Sequence, residues 1–167
     1  MIVRPSVALK HLSAVEAGEL FKLSIGRQNL VCLKGSSEEE MSFLIILSDG
    51  TGRPPHFTVP QFQRSVVSMG KNYSILIDHK DVDFKGSRFR IPGCITLTED
   101  GLFLLCEPDD PTHSGLYYNL STGDVPSDDV NVARHCIFGT WSLVLHESQL
   151  GPNGFAPSTI FSFTARP

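Results

Sequence analysis

The fold is decided by the stretch Ile95-Thr-Leu-Thr-Glu-Asp-Gly-Leu-Phe-Leu-Leu-Cys106, in which an Asp-Gly pair separates two segments rich in apolar and β-branched residues. Asp-Gly between such segments indicates a β-hairpin, because it favours the type I′ turn whose twist matches that of the paired strands. A two-residue loop at Asp100-Gly101 predicts an antiparallel pair in which Ile95 lies opposite Cys106.

The predicted hairpin has two distinct faces, because successive side chains of a strand alternate. One face carries four apolar residues: Ile95, Leu97, Leu104 and Cys106. The other face sets two threonines beside two apolar residues: Thr96, Thr98, Phe103 and Leu105. We expect a second apolar layer, from the core or from a partner, to cover this other face. Cys94 falls on the face opposite to Cys106, so this register excludes a disulfide between them.

Turn signals recur at short intervals along the whole chain, and short segments rich in apolar, β-branched and aromatic residues lie between them. This punctuation is typical of a sandwich or a barrel. The sequence therefore predicts a mainly β fold, an antiparallel β-sandwich or barrel of roughly eight to ten short strands with at most one or two short helices. A length of 167 residues predicts a single β-rich domain over residues 1–167.

Two segments are candidates for the short helices. Residues 6–16 form either a helix capped by Ser6, with Leu9 and Leu12 on one side, or an extended chain leading to Gly18. Residues 61–69 follow Pro60, which is favourable in the first turn of a helix, and predict a second short helix. Two unbroken apolar runs, 43–47 and 75–77, indicate strands that are covered on both faces.

Charge and composition exclude several classes of protein. The formal net charge is −4 and the pI is about 5.8. A nucleic-acid binder normally carries a basic field, because phosphate contacts supply most of its affinity, so we expect no nucleic-acid partner. The chain shows no secretory leader and no apolar run long enough to span a bilayer. The sequence predicts a soluble cytoplasmic protein without a membrane partner.

The four cysteines are predicted to be reduced thiols in the core. Each lies in or beside an apolar string, and free cysteine behaves as a small hydrophobic residue. No C-x-x-C pair indicates zinc or redox chemistry. They are Cys32, Cys94, Cys106 and Cys136.

The sharpest polar cluster is Asp78-His-Lys-Asp-Val-Asp83. If the strand that begins near Ser74 continues through it, His79, Asp81 and Asp83 share one face, with about 7 Å between successive members. Such a row predicts ligands for a divalent metal or groups for acid–base chemistry. The competing interpretation is a solvated strand end, because metal sites normally draw ligands from more than one segment.

No motif predicts a catalytic residue or a cofactor. The chain lacks G-x-S-x-G and a complete phosphate-binding loop. His135 and Cys136 are neighbours, but adjacent residues of a strand point to opposite faces and form no local dyad. The acidic loop residues lack the spacing of a calcium loop.

These observations favour a non-catalytic β-domain that binds another protein or its own copies. Many strands have edges that must be paired or protected, and self-association would cover one of them. The alternative is a β-barrel or jelly-roll that encloses a small ligand. One version of this alternative is a metal-dependent enzyme.

Overall fold

A computed structural model describes residues 7–60, 63–84, 90–127, 130, 135–145 and 158–165. Within these residues the chain forms fifteen strands and one three-residue 3-10 helix, Leu12–Ala14. The strands are β1 (Ala8–His11), β2 (Leu20–Ile25), β3 (Gln28–Ser37), β4 (Ser42–Ser48), β5 (His56–Thr58), β6 (Ser65–Gly70), β7 (Tyr73–Ile77), β8 (Val82–Asp83), β9 (Ile95–Thr98), β10 (Gly101–Pro108), β11 (Leu116–Asn119), β12 (Asp124–Val125), β13 (Cys136–Phe138), β14 (Thr140–Leu145) and β15 (Ser158–Thr164).

The strands form two sheets, which confirms the prediction of a mainly β, sandwich-like fold. The larger sheet has the order β1-β6-β2-β3-β4-β5-β10-β9-β13-β8, with β11 also paired to β10 and β12 to β3. The smaller sheet has the order β15-β14-β7. There are more strands than the eight to ten expected, because several contain only two or three residues. Most pairs are antiparallel, but β5–β10 and β12–β3 are parallel. No helix in this part of the chain is long and apolar enough to cross a membrane.

Two apolar clusters lie on opposite faces of the larger sheet. The main core includes Leu33 and Ile45 from that sheet and Trp141 from the smaller one. The second cluster includes Cys32 and Leu44, the sequence neighbours of those two residues, because side chains alternate along a strand. Residues 43–47 are all buried, as an unbroken apolar run predicts.

The run 75–77 is covered on one face only, which corrects the prediction for it. Ile75 and Ile77 pack against the main core, whereas Leu76 is 56% exposed. This strand, β7, belongs to the three-stranded sheet, where only one face meets the core.

The hairpin forms, but its register differs from the predicted one by two residues. Ile95 pairs with Leu104, and Gly101 pairs with Thr98, so the loop is Glu99-Asp100. A type I′ turn needs positive φ at both loop residues, and Glu40 is the only described non-glycine residue with positive φ.

Side-chain hydrogen bonding explains the shifted loop. The Asp100 amide donates to Thr98 Oγ1 at 3.1 Å, which stabilises the turn one step earlier in the chain. A shift of two residues leaves each side chain on its predicted face, because the side-chain period of a strand is two. Phe103, Thr96 and Thr98 are buried, so the expected cover is present over that part of the hairpin.

Neither candidate helix forms within the described residues. Residues 8–11 form β1, so the extended alternative applies there, and only the 3-10 turn that follows is helical. Residues 65–70 form β6 between β1 and β2, while residues 61 and 62 lie outside the described ranges. Sheet pairing on both sides of β6 outweighs the helical start signal at Pro60.

Trp141 joins the smaller sheet to the rest of the core. Its indole Nε1–H donates to the Gly93 carbonyl oxygen at 2.7 Å, and its ring packs edge-on against Phe161 at 5.4 Å. A Cβ on Gly93 would lie 2.3 Å from the ring of Phe163. This junction therefore requires glycine at that position.

A second close approach joins distant parts of the chain. A Cβ on Gly123 would lie 2.1 Å from the Gly18 nitrogen, and Gly123 has a φ of +83°. Beside this contact, the Tyr73 hydroxyl donates to the Gly18 carbonyl oxygen at 2.9 Å, and the Tyr118 hydroxyl donates to the Lys34 carbonyl oxygen at 3.1 Å. Burial raises the pKa of Tyr73 to about 12.

All four cysteines are free thiols, as predicted. Cys136 is half-buried and the other three are buried. Burial raises the pKa of Cys32 and of Cys106, so both stay protonated at neutral pH.

Candidate functional site

The candidate row of His79, Asp81 and Asp83 does not lie on one strand. Strand β7 ends at Ile77, and the chain turns at Asp78, whose Oδ1 accepts the Lys80 amide at 2.9 Å and whose carbonyl oxygen accepts the Asp81 amide at 3.1 Å. This Asx turn ends the strand, because an aspartate side chain can bond to the backbone two residues later.

The three candidate residues therefore occupy three different settings. His79 is exposed on the turn, with its ring edge-on to Phe138 at 6.5 Å. Asp81 Oδ2 accepts a hydrogen bond from Thr140 Oγ1 at 2.7 Å, which ties the turn to β14. Asp83 lies in β8, paired with Ile137. Among the residues with described positions, no group of three or more His, Cys, Asp or Glu side chains is arranged to hold a metal ion.

A groove that sequence analysis did not predict opens at one end of the main core. It has a volume of about 430 Å³ and lies between the start of β4, the end of β5 and the loop after β10. We call it the Met41 groove. Its lining consists of Met41, Phe43, Phe57, Thr58, Val59, Pro108, Asp109, Asp110 and His113.

Strand register explains why the floor of the Met41 groove is apolar. Ile45 pairs with Phe57, so the same register sets Phe43 opposite Val59 on the core-facing side. Phe43 and Phe57 are both members of the main core, and their rings meet edge-to-face at 6.1 Å. Met41 is 47% exposed and Val59 is 52% exposed, so two large apolar side chains extend the core into solvent.

The rim of the Met41 groove is acidic. Asp109 and Asp110 line one side, and Glu40 is the sequence neighbour of Met41 on the other. Arg53 pairs with this rim, with Nη1 2.9 Å from Asp109 Oδ1 and Nε 3.4 Å from a Glu107 carboxylate oxygen.

Local bonding fixes the position of these charges. The hydrogen bond to Asp109 and the nearby carboxylates raise the pKa of Arg53, against the effect of its partial burial. The amide and hydroxyl of Thr112 donate to Asp110 Oδ1 at 2.9 and 2.8 Å, and together with the charge of His113 they lower the pKa of Asp110. Asp110 is therefore an ionised carboxylate at the open side of the groove.

A larger cavity of about 640 Å³ lies next to the Met41 groove, on the other side of Pro108. We call it the Tyr117 cavity. It is lined by Arg90, Pro92, Leu105, Cys106, Glu107, Pro108, Ser114, Gly115, Tyr117 and Val130. Leu105 and Tyr117 are cross-strand partners on β10 and β11, so this cavity lies on the hairpin face that carries Phe103.

The most buried ionisable cluster serves the sheet rather than a ligand. Glu19 is 3% exposed and accepts hydrogen bonds from Lys10 Nζ at 2.6 Å, from the Glu16 amide at 2.9 Å and from the Ser68 hydroxyl. Burial by itself raises the pKa of Glu19, but these bonds and the charge of Lys10 outweigh it and lower the pKa. The cluster joins β1, β6 and the residue that precedes β2.

Lys34 is a buried lysine on the face of the larger sheet that carries Cys32. Its Nζ donates to the Leu12 carbonyl oxygen at 3.5 Å, and burial lowers its pKa. The contact holds the 3-10 helix over the second apolar cluster, which contains Leu12.

Sequence analysis missed the Met41 groove because its lining comes from segments that are far apart in the chain. The only local signal is an apolar Met41 directly after three glutamates, residues 38–40. Comparison of the chain with protein-family models, with curated proteins and with solved structures finds no match.

Proposed function

We propose that this protein is a non-catalytic β-domain that binds another protein, and that the Met41 groove is its docking site. One observation carries the proposal: Met41 and Val59 are each about half exposed directly above the buried Phe43–Phe57 pair. Exposed apolar side chains that continue a core and are rimmed by charges are typical of protein interaction sites.

The size of the apolar area indicates a modest affinity. Full burial of a methionine or valine side chain stabilises by about 1.5–3 kcal/mol, so covering the exposed halves of Met41 and Val59 contributes about 1.5–3 kcal/mol in total. This is enough to anchor a short segment of a partner, with further contacts at the rim supplying specificity.

An unbiased peptide-display selection against the full chain tests the proposal. We expect enriched peptides whose binding falls at least fivefold in Val59→Ser and stays within twofold in Val67→Ser. Val67 is the matched control, because it is a valine of similar exposure, 41%, on β6. Peptides that bind both variants equally, or no enrichment at all, would count against a docking site in the groove.

Self-association is the second form of this proposal. Light scattering over a range of protein concentrations measures it directly. If the wild type has a mass above that of one chain and Val59→Ser has the mass of one chain, the partner is a second copy of this chain. A mass equal to one chain at high concentration rejects this form and leaves a different protein as the partner.

The alternative function, binding of a small ligand, is favoured by the Tyr117 cavity. Small-molecule sites are concave, mostly apolar and about 300–1,000 Å³ in volume, with a few polar groups. The cavity meets this description, with Arg90, Glu107, Ser114 and Tyr117 as its main polar side chains.

A thermal-shift screen of small molecules tests this alternative, with Leu105→Trp as a variant that fills the cavity. A ligand that stabilises the wild type and not this variant would favour it over the docking domain. Elemental analysis tests the metal-dependent form: stoichiometric metal that is lost in His79→Ala or Asp81→Ala would overturn the non-catalytic proposal.

A further inference from the structure

We infer that the Met41 groove takes a polypeptide segment in which one large apolar side chain is flanked by arginine or lysine. This inference rests on the proposed function and specifies the chemistry of its partner. Three features of the groove support it: the shape of its floor, the charge of its rim and the pairing of its strands.

The floor accepts one large side chain. A volume of about 430 Å³ above two aromatic rings and between Met41 and Val59 exceeds what an aliphatic or aromatic side chain occupies. Methionine is flexible and polarizable, so Met41 can repack around side chains of different shapes. An inserted apolar side chain therefore extends the main core at Phe43 and Phe57.

The rim selects for positive charge next to that side chain. Asp109 and Asp110 line the opening, and Arg53 is already bonded to Asp109 and to Glu107. His113, also in the lining, has Nδ1 3.6 Å from Asp110 Oδ2. The carboxylates around the groove outnumber the guanidinium, so the field at its mouth is negative. Complementary charges give register and selectivity, and like charges on a partner are penalised.

The strand pairing excludes recognition by an added β-strand at this place. Strand β5 is paired with β4 on one side and with β10 on the other. Its backbone groups already have partners, so side chains of the docked segment must provide the recognition.

Fluorescence anisotropy of two labelled peptides tests the inference on the full chain. The probes are Gly-Lys-Arg-Phe-Arg-Lys-Gly and its charge-reversed form Gly-Glu-Asp-Phe-Asp-Glu-Gly. At 50 mM salt we expect the basic peptide to bind at least tenfold more tightly. This preference should narrow to about threefold at 0.5 M salt, because salt screens exposed charges. Replacing the phenylalanine of the basic peptide by serine should weaken binding at least fivefold.

Two variants separate the groove from the general acidity of the protein. Asp110→Asn should weaken binding of the basic peptide two- to fivefold, whereas Asp78→Asn should leave it within 1.5-fold. The control is matched, because each aspartate is exposed and accepts the amide two residues later at 2.9 Å. Asparagine keeps that acceptor, so neither change should unfold its loop.

The outcomes distinguish this inference from the proposed function. Equal binding of both peptides, or equal loss in the two aspartate variants, overturns the inference. If the display selection also enriches neutral or acidic peptides that depend on Val59, the groove remains a docking site with different chemistry. If Val59→Ser changes no binding at all, both the inference and the proposed function are rejected.

Discussion

Replacing Glu19 by glutamine should destabilise the fold by about 2 kcal/mol at pH 7. The change removes a buried negative charge that accepts bonds from Lys10, Ser68 and the Glu16 amide. A hydrogen bond to a charged group contributes about 1.5–3 kcal/mol, whereas one between neutral groups contributes about 1 kcal/mol. Lys10 is one-third exposed, so its ion pair counts toward the lower end of that range.

Urea unfolding followed by tryptophan fluorescence measures the effect, since Trp141 is the only tryptophan and is buried in the core. With a slope of about 2 kcal/mol per molar urea, the midpoint should fall by about 1 M and the slope should not change. Glu16→Gln is the matched control. Its side chain is 72% exposed and pairs with Lys71 on the surface, so the midpoint should shift by less than about 0.3 M.

The pH dependence gives a second readout of the same residue. Because the folded pKa of Glu19 is lowered, the stabilisation is fully present above the ordinary carboxyl value of 4.5 and is lost as the pH falls through the folded value. The difference between wild type and Glu19→Gln should therefore shrink in acid. A difference below about 0.5 kcal/mol at pH 7, or one that does not change in acid, would refute this account of the cluster.

Three further predictions concern backbone packing, thiols and a buried phenol. Gly123→Ala should lower the free energy of unfolding by at least about 3 kcal/mol and the Tm by about 6–12 °C, because its Cβ would overlap Gly18. The control is Gly50→Ala, which has open space around it and should lower the free energy of unfolding by about 1 kcal/mol. In guanidinium all four cysteines should react with a thiol reagent, and in the native protein Cys136 should react first; a count of two would reveal a disulfide. Burial raises the pKa of Tyr73 to about 12, so Tyr73 should stabilise the fold up to pH 10 and lose that contribution between about pH 10 and 12. Absorbance at 295 nm measures the ionisation of the phenol, and urea unfolding at each pH measures the loss of stability.

The sequence predicted the fold class well because side-chain alternation is a local property. The pattern of β2 illustrates this: Phe21 and Leu23 are buried, while Lys22 and Ser24 are exposed. The faces of the β9–β10 hairpin were also correct, although its loop was placed one residue too late, which shifts the strand register by two residues. The hydrogen bond from the Asp100 amide to the Thr98 hydroxyl favours the earlier loop, and residue preferences for turns do not take such a bond into account.

The parts that sequence analysis could not predict depend on contacts between distant segments. The helix expected at residues 61–69 is overruled at β6, which gains partners on both sides from β1 and β2. The Met41 groove requires β5 to lie parallel to β10, a pairing with no signal in either segment. The interpretation of His79, Asp81 and Asp83 as one row depended on a strand that continues past Ile77, and the Asx turn at Asp78 ends that strand.

The parallel pairing of β3 with β12 also constrains how the protein is made. Ser36 and Ser37 in β3 pair with Asp124 and Val125, which lie about 90 residues later in the chain. At a synthesis rate of about 5–20 residues per second, the end of β3 waits about 4–18 s for this neighbour. During that interval a nascent chain carries an open strand edge beside apolar residues. Completion of the larger sheet is thus a late event in synthesis, and slow translation of the middle of the chain would prolong the period of exposure.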